Sequence, residues 1–111
     1  MICEAWTIVV VPFPFSDSPH VKFRPAVVLS TRGFNRCGLT IMAMVTSARH
    51  SKMPGDIPIK PGTAGLSTDC IIRMKLFTLD NRLIRDKLGV LPEETGGQLD
   101  RTLHSILHGP E

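Results

Sequence analysis

The sequence predicts a mainly β domain, a small barrel or sandwich that carries one helix at its C-terminal end. Three observations lead there. Short segments rich in Val, Ile and Thr recur along the chain, bounded by clusters of Pro, Gly, Ser and Asn. That spacing belongs to strands joined by turns, not to alternating strands and helices. Hydrophobic residues make up 42% and charged residues 21% of the 111 positions, enough apolar matter for one core of single-domain size. Helical periodicity is confined to the tail. A single domain over residues 1–111 is the expectation.

The first strand is read at 7–13, TIVVVPF. The apolar stretch around it follows Glu4, has no basic lead and is interrupted by Pro12 and Pro14, so it reads as strand and not as a secretory signal. Further strands are expected at 25–30 (PAVVLS), 39–46 (LTIMAMVT), 56–59 (DIPI), 70–79 (CIIRMKLFTL) and 87–91 (KLGVL). In the fifth, Ile72, Met74, Leu76 and Thr78 alternate with Arg73, Lys75 and Phe77. One face is then apolar, and the other is basic and open to a ligand groove. Leu99, Leu103, Ile106 and Leu107 share one face of a helix. Gly96 and Gly97 weaken its first turn, so it is expected over 98–108, docked on the barrel and ended by Gly109 and Pro110.

Composition excludes several classes. No segment approaches the roughly eighteen apolar residues of a membrane span, so a soluble, cytoplasmic protein is expected. Three cysteines without a CxxC pair argue against a disulfide framework and a sulfur-rich zinc site, and for free thiols in a reducing compartment. The formal charge of +3 suits a polyanionic partner without selecting one.

Arg24 stands before Pro25, which holds its backbone extended as the second strand begins. Its planar, permanently charged guanidinium matches phosphate oxygens. It equally suits a solvated rim, or an ion pair with Asp17. Thr46 and Ser47 place two hydroxyls where the third apolar run stops, to orient a phosphate or merely to meet water. His20 and Lys22 lie within five residues of Arg24, and His50 and Lys52 follow Thr46. Histidine carries protons near neutrality, and lysine attracts a phosphate chain without choosing its sequence. Asp100, His104 and His108 are spaced by four and read as a solvent-facing row. No metal site is expected, and no glycine-rich phosphate loop or GxSxG elbow is present.

Taken in order, VVVPFPFSD, KFRPAVVLS, MAMVTS, PGDIPI, AGLSTDCIIRMKLFTLD and KLGVL with a helical tail resemble the MazF/PemK family of toxin endoribonucleases, from about residue 6 to residue 108. The resemblance implies an SH3-like barrel of the MazF/PemK/CcdB type and a homodimer. It implies the toxin of a type II toxin–antitoxin system, a sequence-specific mRNA interferase that cuts single-stranded mRNA without metal or cofactor and is held by a cognate antitoxin protein. It places Arg24 and Thr46 in the active centre. His20 and Arg73 match a first-loop histidine and a fifth-strand arginine used by some members. Two departures stand out. Trp6 and Thr7 replace the usual Gly-Asp before the first strand, altering the strand entry or offering an aromatic stacking surface, and Lys75 follows Arg73 where some members carry an acid.

Metal-free cleavage of RNA by the adjacent 2′-hydroxyl leaves a cyclic phosphate and requires proton removal, charge stabilisation and protonation of the leaving oxygen. Arg24 suits the second task, Thr46 and Ser47 the positioning of phosphate or hydroxyl, and His20 or Arg73 the protons. Lys22 adds attraction for the strand. Two alternatives remain: a non-catalytic RNA- or protein-binding barrel, and a gyrase-inhibiting toxin of the same fold, which the polar ending LHGPE disfavours.

Overall fold

Strands form where the apolar segments alternate. The computed structural model describes residues 1–13 and 21–110. Within them β1 is Thr7–Pro12, β2 Phe23–Val28, β3 Leu39–Ser47, β4 Ile57–Ile59, β5 Cys70–Asp80 and β6 Asp86–Val90, and they pair in the order β4-β5-β3-β2-β1-β6, all antiparallel. A short helix α1, Arg32–Asn35, and a 3-10 turn at Asn81–Leu83 were not anticipated; the C-terminal helix α2 spans Glu93–His108. Each strand lies within two residues of its expected position.

The sheet curls until its two edges approach through the loop that follows β4. There Gly65 and Ala64 press against Leu88 and Gly89 of β6 so closely that a Cβ on either glycine would overlap backbone. Gly65 has φ +81°, a conformation glycine adopts without a steric penalty.

Alternation divides the apolar residues between the two faces of the sheet. Ile8, Val27, Ala43, Val45 and Ile72 bury one cluster beneath Leu91 and Leu99. Val9, Val11, Ala26, Val28, Met42 and Phe77 bury the other. In β5 the register slips, since Ala43 faces Leu76 while Met44 faces Arg73. The two inserted residues preserve the parity, so Ile72, Met74 and Leu76 share the first cluster. The opposite face is basic only at Arg73 and Lys75 and becomes apolar at the buried Phe77 and at Leu79, which join the second. The expected basic face is therefore half a strand long.

The helix starts five residues before its expected position. Pro92 stands at its N-cap and Glu93 and Glu94 occupy its first turn, where carboxylates favour the positive end of the helix dipole. Gly96 costs helix propensity, yet it is buried and a Cβ there would stand 2.9 Å from Trp6 Cδ1. Trp6 thus packs, half-buried, at the joint of helix and sheet, and of its two readings the altered strand entry is the one this packing favours. Docking is carried by Leu99 and Leu103, whereas Ile106 and Leu107 remain 51% and 57% exposed, contrary to the expected four-residue seam. Among the described residues no helix is long and apolar enough to cross a membrane.

Candidate RNA-cleaving site

The site opens where two strands part. In β2 the N–H of Leu29, just past its end, donates to Ile41 at 2.8 Å, so the odd-numbered residues of this segment aim their backbone groups at β3. Pro25 falls in the same phase and has no N–H to give. The ladder to β3 ends at the pair Ala26–Met44. Two residues further along both strands come Arg24 and Thr46, on the face that holds Ala26 and Met44.

Both line a cavity of about 230 Å³, together with Phe13, Lys22, Met44, His50, Arg73 and Lys75. The floor continues the second apolar cluster: Phe13 and Met44 pack against it, and Phe13 meets Phe77 edge-on with ring centroids 5.8 Å apart. Among the described residues, the walls carry four cationic side chains and no carboxylate. Such a space attracts an anion.

Arg73 is held by Asp56. Its Nη2 donates to Asp56 Oδ2 at 2.9 Å and its Nε to Oδ1 at 3.2 Å, while Nη2 also reaches the Ser51 carbonyl at 2.6 Å. The hydrogen bond from Arg73 keeps the Asp56 carboxyl below its usual range, aided by the Met53 N–H. The same contact raises the Arg73 pKa further. Arg73 is thus held in place as a cation. Asp56 stays ionised and engaged.

Thr46 is buried, and its Oγ1 stands 3.1 Å from Nδ1 of His50. Ser47, one residue on, projects to the other side of β3 and lines a separate depression with Ala48, Arg49, Thr68 and Asp69; its Oγ accepts the Arg49 N–H. The structure therefore joins Arg24, Thr46, Lys22 and Arg73 and leaves Ser47 out. Strict alternation along β3 carried that signal. His20 lies outside the described residues. His50, noted only as a loop histidine, belongs to the cavity. His104 and His108 stack on the exposed side of α2, with ring centroids 5.7 Å apart, and among the described residues no three metal-ligating side chains gather.

Comparison with known proteins agrees with this geometry. The sequence model of the PemK-like, MazF-like toxins of type II toxin–antitoxin systems matches residues 4–107. Among solved structures, the chain is similar to MazF from Deinococcus radiodurans, with 25% identity over 96% of this chain and 97% of that one and a TM-score of 0.77. It is also similar to a MazE–MazF structure from the same organism, with 26% identity over 99% of each chain and a TM-score of 0.75. An endoribonuclease in complex with its cognate antitoxin from a mycobacterial species shares the fold at a TM-score of 0.77, with 15% identity and 98% of both chains covered. No curated protein gives a match. With a buried hydroxyl and an arginine on parting strands, and a family match that runs almost the whole length, the chain belongs to the PemK-like, MazF-like toxins of type II toxin–antitoxin systems.

Proposed function

We propose that this chain is an endoribonuclease that cuts single-stranded mRNA through the RNA's own 2′-hydroxyl, without a metal or other cofactor, acting in the cytoplasm as a homodimer. One observation carries the reading: Arg24 and Thr46 line one basic cavity. When O2′ attacks phosphorus, negative charge builds on the non-bridging oxygens. Arg24 meets it with its guanidinium N–H groups, and a preorganised donor of this kind contributes roughly a hundred- to a thousandfold in rate. Thr46 orients a phosphoryl oxygen. Arg73, immobilised by Asp56, adds fixed positive potential, and Lys22 and Lys75 draw in the flanking phosphates.

Family membership supplies the partner. The similar structures include MazE–MazF from Deinococcus radiodurans and a mycobacterial endoribonuclease in complex with its cognate antitoxin, and a disordered acidic segment of a cognate antitoxin fits the same cavity by charge, excluding RNA. The test is cleavage of a mixed-sequence RNA on a denaturing gel. Wild-type protein is expected to shorten it and Arg24→Ala to do so at least about a hundredfold more slowly, with unchanged thermal unfolding because Arg24 is exposed. Equal turnover in the variant would remove the assignment, and RNA bound but uncut would leave a binding module in its place.

A further inference from the structure

Attack by a 2′-hydroxyl requires a group that accepts its proton, and none of the arginines or lysines around the cavity serves at neutral pH. We infer that His50 is the general base, an assignment that rests on the ribonuclease reading above. His50 lies three residues beyond β3, in a turn whose backbone N–H donates to the Ser47 carbonyl at 3.3 Å. The turn brings the ring back to the cavity wall beside Thr46.

Two contacts settle which nitrogen does what. Nδ1 lies 3.2 Å from the Ser47 carbonyl oxygen and 3.1 Å from Thr46 Oγ1. A carbonyl oxygen only accepts, so the proton of the neutral ring resides on Nδ1 and is shared between these two oxygens. Nε2 then holds the lone pair. Thr46 Oγ1, accepting from the ring, directs its own hydrogen elsewhere, and a phosphoryl oxygen is the acceptor the cavity would supply. His50 and Thr46 thus form one unit.

In the step, the proton of O2′ passes to His50 Nε2 as the O2′–P bond forms. The P–O5′ bond breaks, and the departing O5′ takes a proton from solvent water. Among the described residues the charged groups around the ring are Lys22 and Arg24 from the β2 side, Arg73 and Lys75 from β5, and Asp56, which Arg73 engages. A general-base imidazole gives an acidic limb near neutrality, whereas lysine, arginine and aspartate ordinarily titrate far from it.

The decisive variant is His50→Asn, whose amide N–H replaces Nδ1 toward Thr46 and Ser47 but which has no second nitrogen to accept a proton. Cleavage of a mixed-sequence RNA and binding of its 2′-O-methyl counterpart are measured from pH 5 to 9. Wild-type kcat is expected to fall as pH drops through the neutral range. His50→Asn is expected to lose roughly a hundred- to ten-thousandfold in kcat, to lose that acidic limb, and to bind the uncut RNA within about threefold of wild type. Unaltered kcat, or an acidic limb that survives in the slowed variant, would overturn the role of His50 alone. Failure of the wild type to cut RNA would overturn the ribonuclease reading, and the base assignment with it.

Discussion

Single residues decide this site by parity. Arg24 and Thr46 each stand where an apolar run starts or stops, a position that alone leaves their roles open; the family resemblance selects them, and both line one cavity beyond the last β2–β3 pair, Ala26–Met44. Ser47 was read with its neighbour, although successive residues of a strand face opposite ways. His50 was hidden for another reason: its turn brings it to the cavity wall, and no periodicity records a turn's direction. The Asp56–Arg73 pair, 17 residues apart in sequence, is equally invisible to local reading, because only the pairing of β4 with β5 brings the two together. It carries a prediction. Because the folded state holds the Asp56 carboxyl below its ordinary range, its ion pair stabilises the fold above the unfolded carboxylate's pKa and ceases to do so as pH falls through the lower folded value. Asp56→Asn should unfold at a lower temperature than wild type near neutrality, with the gap narrowing in acid. Thermal unfolding across a pH series checks this, and a gap that stays constant would show that the charge on Asp56 is not what matters.

At the level of elements, strands were easier to place than the helix. A strand with one buried face announces itself by period two, and the fifth segment keeps that parity through a two-residue slip. The start of α2 was misplaced because Gly96 and Gly97 weigh against helix in isolation, whereas a contact 90 residues away in sequence, with Trp6, requires the first of them. The two glycines therefore separate local preference from packing. Gly97→Ala meets only the flexible end of Arg101 at 3.4 Å and should stabilise by up to about 1 kcal/mol through helix propensity. Gly96→Ala gains the same propensity but drives a methyl into the Trp6 ring, and overpacking of that kind costs about 1–3 kcal/mol. Chemical denaturation of both variants should show opposite signs. Stabilisation by both would mean that Trp6 does not seat the helix.

For the whole molecule, the curled sheet and its terminal helix were predictable from the order of apolar segments, and their closure was not. The sequence KPGTAGLSTD, residues 60–69, reads as a flexible, glycine-rich loop, yet it brings β4 and β6 together through backbone contacts at Gly65 and Gly89. Curling leaves one end of the second apolar cluster uncovered, floored by Phe13 and Met44 and walled by cations. On the proposed reading, this fold supplies fixed positive potential and an oriented hydroxyl, and the RNA's own 2′-hydroxyl makes the new bond. The chemical identity of the product ends tests that claim most directly. Purified protein, incubated with a defined RNA in excess EDTA, should yield 2′,3′-cyclic phosphate and 5′-hydroxyl termini. Intact RNA under those conditions with cleavage restored by a divalent ion, or products bearing 5′-phosphates, would contradict it.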